Sequence, residues 1–174
     1  DENIQKTQFS SVDFFCIDNM IQRKSYLNQL IQLRDQDLIK VVTGIRRCGK
    51  STLLQHFMQY LKSNGVDKDA IIFINFEERE NARFASWEEI YDFIAATLIP
   101  ATKRYVFLDE VQMVPNFEKL VDALYVKKDI DLYVTGSNAY LLSSELSTLL
   151  SGRYIAINLH PFSFAEYVAA FPDE

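Results

Sequence analysis

The stretch Val41–Leu54, VVTGIRRCGKSTLL, constrains this chain more than any other. A β-branched apolar run leads into two glycines around a basic turn, and Lys-Ser then opens a run with helical apolar spacing. Gly44, Gly49, Lys50 and Ser51 match G-x-x-x-x-G-K-[ST] between an expected strand and an expected helix, the setting its mechanism requires. There the glycines let the loop curl until successive backbone N–H groups point inward at phosphate oxygens, and the helix start adds its positive dipole end. Gly44, Ile45, Arg46, Arg47, Cys48, Gly49, Lys50, Ser51 and Thr52 are therefore the candidate nucleotide-binding residues. Lys50 is expected to bridge the outer phosphates, and the Ser51 hydroxyl to ligate Mg²⁺.

The rest of the chain supplies a fold for such a loop. Short, nearly continuous apolar runs at 38–42, 71–76, 104–110, 130–138 and 154–159 read as buried strands. Between them lie helical patterns. Leu27, Leu30 and Ile31 share a face after Met20, and Leu53, Leu54, Phe57, Met58 and Leu61 form a stripe that SNG at 63–65 stops. SWEE at 86–89 is a capping box for a helix carrying Ile90, Ile94 and Leu98 and ended by Pro100. Phe117, Leu120, Val121 and Leu124 repeat helically, and SFAE at 163–166 is a second capping box. Strands alternating with helices predict an α/β fold with a parallel five-stranded sheet covered on both faces, whose ligand lies at the carboxyl ends of the strands. At 174 residues and 48% hydrophobic content the chain has material for one core. We expect residues 20–174 to form that domain and residues 1–19 to be an N-terminal extension or a segment foreign to the native chain.

Two acids end the third strand. Asp109 fits a direct or water-mediated Mg²⁺ ligand, and Glu110 fits the group that orients and polarises an attacking water. In VTGSN, Ser137 or Asn138 closes a buried strand where a short polar side chain can bond the γ-phosphate or its water; a polar helix cap is the equal alternative. Arg153 in LSGRY is a candidate for neutralising charge on the transferring phosphoryl group, within the chain or across a subunit interface, against the alternative of a salt-bridging surface arginine. Arg46 and Arg47 are expected to be solvated or paired with acids such as Glu77 and Glu78, and Cys48 to be a small residue filling a tight place.

Composition removes other classes. The net charge of −6 argues against a broad surface for nucleic acid. Cys16 and Cys48 have no CxxC spacing, which suggests neither a disulfide framework nor a thiolate zinc site and predicts a reducing, cytoplasmic setting. No apolar run approaches the ~20 residues of a membrane-spanning helix. His56 and His160 lack ligand-spaced partners and are expected to be structural. The sequence assigns no oligomeric state.

Taken with GIRRCGKSTLL, the series INFEE, FLDEVQ, TGSNAYLL, LSGRY and LHPFSFAEY resembles the P-loop ATPases of the AAA+ superfamily. More narrowly, it is similar to prokaryotic ATP-binding proteins whose N-terminal AAA domain precedes a C-terminal domain of unknown function, and the likeness runs from about Arg23 to Tyr167. That resemblance implies strand order 5-1-4-3-2, with the strand ending at Thr135 inserted between the phosphate-loop strand and the strand of Asp109 and Glu110. It implies that Lys50 and Ser51 bind ATP or ADP and Mg²⁺, that Asp109 and Glu110 are the second motif, and that Ser137 or Asn138 is the sensor. It implies Mg-dependent ATP hydrolysis coupled to a protein partner or to a C-terminal domain absent from this chain; the alternative is a nucleotide-gated switch with little turnover. The helical lid with a sensor arginine that a typical member carries is not found before Glu174.

Overall fold

The inner strands occupy apolar runs because such a run, paired on both sides, satisfies its backbone while burying both faces. In the computed structural model, which describes residues 23–99, 102–137, 150 and 152–170, five strands alternate with helices. They are β1 (Ile39–Gly44), β2 (Ile71–Asn75), β3 (Arg104–Asp109), β4 (Ile130–Ser137) and β5 (Tyr154–Leu159). The helices are α1 (Lys24–Leu33), α2 (Lys50–Ser63), α3 (Trp87–Ala95), α4 (Phe117–Tyr125) and α5 (Phe164–Ala170).

All pairings are parallel, and the sheet order is β2-β3-β4-β1-β5, the predicted order met from the other edge. β4 indeed separates β1 from β3. Every residue of β1 and β3 is buried, whereas the edge strand β2 alternates buried with half-buried positions, as its one open side dictates. Val41, Val106, Leu108, Leu132 and Val134 face α3 and α4 in one core cluster. Val42, Phe107, Tyr133 and Ile157 face the other way, onto Leu30 of α1 and Leu53, Leu54, Phe57 and Leu61 of α2. On that face the Phe107 and Tyr133 rings stack 4.7 Å apart.

The helix ends depart from expectation where polar contacts intervene. α3 stops at Ala95 rather than at Pro100, because the Thr97 hydroxyl bonds back to the Ile94 carbonyl and Arg104 Nη2 takes the Thr97 carbonyl at 2.9 Å. At its start the Ser86 hydroxyl accepts from Glu89 N–H, while the Glu89 carboxylate takes Ala85 N–H, one residue earlier than a strict capping box requires. The SFAE box is reciprocal: Ser163 Oγ accepts from Glu166 N–H and Glu166 Oε2 from Ser163 N–H. Glu166 is also gripped by both Nε and Nη2 of Arg23, which holds its carboxyl below the usual range and ties the α5 segment to the start of α1.

One feature of the amino-terminal half of the sheet was not anticipated. Lys40 and Asp131, neighbours on β1 and β4, form an ion pair at 2.5 Å with both side chains fully buried. Lys40 Nζ also donates to the Gln36 carbonyl, and Asp131 Oδ2 accepts from Asp35 N–H and Tyr133 O–H, so the α1–β1 loop is bonded to the sheet's interior.

Candidate functional site

Gly44, Ser137 and Leu159 end β1, β4 and β5 in register, and the phosphate loop leaves the sheet from that point. A Cβ on Gly44 would lie 2.5 Å from the Leu159 carbonyl oxygen and 2.7 Å from Cys48 Sγ, so close packing demands glycine there. Gly49 has open space around it but φ +94°, so there the backbone conformation is what favours glycine. Arg47 also adopts a left-handed conformation, φ 66°, within the same curl. Cys48 is buried, filling the tight place as expected.

α2 begins at Lys50 with Gly49 as its cap residue, and neither a capping side chain nor an acid occupies its first turn. The first N–H groups of the helix therefore have no partner from that source, and the dipole end is left for an anion. Lys50 is 3% exposed; its Nζ contacts the Ile45 carbonyl at 3.4 Å and Glu110 Oε1 at 3.3 Å. Ser51 and Thr52 are half-buried in the same turn.

Opposite the loop, Asp109 ends β3 fully buried. Its Oδ1 accepts from the Thr135 hydroxyl, while Oδ2 is buried without a hydrogen-bond partner among the described residues. Burial pushes the Asp109 carboxyl upward, opposed by the Ser51 and Thr135 hydroxyls, and the neighbouring Glu110 charge adds to the rise. Glu78, just past β2, is raised by burial and by the charges of Glu80 and Asp109. Glu110 itself leaves the strand in a left-handed conformation, φ 55°, with its N–H on Thr135 Oγ1 at 3.0 Å. Its second carboxylate oxygen accepts from Gln112 Nε2 at 2.6 Å.

The fold thus gathers Gly44, Gly49, Lys50, Ser51, Asp109, Glu110 and Ser137 at the carboxyl edge of the sheet. Ile45, Arg46 and Arg47 are in the loop but point to solvent, and Arg46 is paired with Glu77 at 3.2 Å. Asn138 lies outside the described residues. Arg153 is not brought to the site. It precedes β5 at the opposite edge of the sheet, its backbone carbonyl on Ile39 N–H at the start of β1 and its guanidinium on Asp122 at 2.8 Å. The parallel strands separate it from Lys50 by their whole length, so the version of its role within one subunit is withdrawn. Thr135 and Gln112 were missed. A lone threonine in the apolar run LYVTG was the signal for the first; the second depends on a turn that sequence does not specify.

For Mg²⁺ the donor set fits: an orphaned carboxylate oxygen beside a helix-start hydroxyl, with phosphate oxygens and water to complete the shell. Among the described residues no three or more His, Cys, Asp or Glu form a cluster that could hold a metal ion by themselves.

A phosphate loop rising from β1, between β4 and β5 in a 2-3-4-1-5 parallel sheet, and facing acids two strands away, defines a P-loop nucleotide-binding fold of the AAA+ type. Residues 36–168 match the family described as AAA domain, and the chain belongs to that family. It is 43% identical over 152 residues to an uncharacterised protein of Haemophilus influenzae, covering 87% of this chain and 38% of that protein. It is 33% identical over 130 residues to an uncharacterised protein of Methanocaldococcus jannaschii, covering 75% and 28%. The chain therefore spans well under half the length of these curated relatives. In fold it is similar to C. elegans PCH-2, with TM-score 0.58 and 21% identity over 87% of this chain and 46% of that one. A structure of Drosophila ORC bound to DNA contains a chain with TM-score 0.55 and 15% identity, the match covering 82% of this chain and 93% of that one. No helix among the described residues is long and apolar enough to cross a membrane.

Proposed function

We propose that this domain binds Mg-ATP and hydrolyses it, with the released energy passed to a protein partner or to a further part of a longer protein. The observation that carries the reading is the Lys50–Glu110 approach of 3.3 Å, which puts a carboxylate beside the amine that would hold the outer phosphates. Loop N–H groups and Lys50 would bind the β- and γ-phosphates. Ser51 and Asp109 would hold Mg²⁺, which when bound supplies neutralisation of the phosphate charge. A water oxygen attacks the γ-phosphorus, the bond from that phosphorus to the β–γ bridging oxygen breaks, and ADP and phosphate leave. Glu110 orients that water and accepts its proton. Ser137, the last residue of β4, or Asn138 would sense the γ-phosphate.

The test is phosphate release from Mg-ATP, with GTP as competing substrate. Glu110→Gln should keep ATP affinity while turnover falls roughly 10²-fold or more, as loss of a positioned base requires. Equal turnover in the variant removes Glu110 from the mechanism.

A second reading, a nucleotide-gated switch with little intrinsic turnover, is favoured by a different observation: both Glu110 oxygens are already engaged, by Lys50 and Gln112. Tight ATP binding without phosphate release selects it. Arg153 enters either reading only across a subunit interface. Specific activity that rises with protein concentration, and fails to rise in Arg153→Ala, is the outcome that supports this role.

A further inference from the structure

Gln112 lies two residues beyond Glu110, in the 3-10 turn Val111–Met113. The turn starts from the left-handed Glu110 backbone, is pinned by fully buried Val111, and brings the Gln112 side chain back onto Glu110. A carboxylate only accepts hydrogen bonds, so the amide must present its N–H to Glu110 and its carbonyl elsewhere. That carbonyl oxygen, Oε1, is buried and has no hydrogen-bond partner among the described residues. An orphaned buried acceptor lowers stability. The arrangement therefore does not serve packing; what it preserves is the 2.6 Å bond to Glu110.

The other Glu110 oxygen faces Lys50, the residue that a bound phosphate would draw away. Once Lys50 turns to phosphate, Glu110 would keep, among the described residues, only Gln112 as a side-chain partner, next to the like charge of Asp109. Resting on the hydrolytic reading above, we propose that Gln112 is a positioning residue: its amide N–H holds the Glu110 carboxylate in place toward the attacking water after Lys50 has moved to the nucleotide.

The experiment compares wild type, Gln112→Met, Gln112→Asn, Glu110→Gln and the Glu110→Gln/Gln112→Met pair. Each is measured for kcat and KM for Mg-ATP phosphate release, for ATP binding, and for thermal melting. Methionine keeps the length without hydrogen bonds; asparagine keeps the amide but shortens its reach. Both single Gln112 variants should lose kcat by roughly tenfold or more, with KM within about twofold, the pattern of a group acting only in the transition state. Gln112→Met should melt at or above the wild-type temperature, since it removes an orphaned acceptor. The double variant should be no slower than Glu110→Gln alone. Unchanged kcat in Gln112→Met, a loss of kcat that tracks a loss of melting temperature, or a further loss on the Glu110→Gln background would each overturn the proposal while leaving the ATPase reading intact. ATP binding without release by the wild type would overturn both together.

Discussion

At the residue scale, Asp109 and Gly44 each carry a measurable cost of function. Folding raises the Asp109 carboxyl, chiefly by burial, so the native state holds its proton more tightly than the unfolded chain does. Its ionisation at neutral pH then costs stability, and that cost vanishes as pH falls below the unfolded value of about 3.9. Asp109→Asn should therefore melt above wild type at pH 7 without nucleotide, with the gap closing by about pH 3.5; calorimetry across that range checks it, and a gap that widens in acid would contradict the burial account. Gly44→Ala should cost about 1–3 kcal/mol, the range for overpacking, because the methyl meets the Leu159 carbonyl and Cys48 Sγ rather than a movable side-chain tip. Urea unfolding reads that loss directly. Both residues stood out in the sequence, Gly44 by its place in the motif and Asp109 by its place at a strand end; the burial and partners of Asp109 did not, because they depend on Thr135 and Ser51, 26 and 58 residues away in the chain.

At the scale of elements, the periodicities predicted which segments pair and which faces are covered, and they failed at ends where side chains compete with the backbone. Arg104 and Thr97 shorten α3 in this way. The Lys40–Asp131 pair is the larger omission. LIKVV and IDLYV each read as an apolar run interrupted by one charge, and only the parallel pairing of β1 with β4 places those charges together. Breaking such a pair leaves an uncompensated buried charge. Asp131→Leu should cost about 3–5 kcal/mol, and adding Lys40→Met should recover more than half of it, with the remainder due to the orphaned Asp35 N–H and Tyr133 O–H. Denaturant midpoints of the two single variants and the double variant measure this. Additive losses would show that the pair is not coupled.

At the scale of the whole molecule, nucleotide binding should be visible as stability. A ligand at 100 times its Kd adds about 2.7 kcal/mol, which for a domain of this size corresponds to a rise of roughly 5–10 °C in Tm. Mg-ATP should produce that rise in wild type and not in Lys50→Ala, which removes the buried amine that reaches Glu110 just past β3. A full shift in Lys50→Ala would remove the lysine from the binding site.

The amino-acid sequence by itself determined the phosphate loop, the succession of strands and helices, and the acidic pair at the end of β3, because each is written in residues adjacent along the chain and obeys local rules of turn, period and charge. Tertiary structure alone decided that Glu110 faces Lys50, that Thr135 holds Asp109, that Gln112 folds back on Glu110, and that Arg153 stands at the far edge of the sheet. These relations depend on which strands lie side by side and on backbone turns set by packing, and a linear pattern carries neither the lateral order of a sheet nor the direction in which a side chain leaves it.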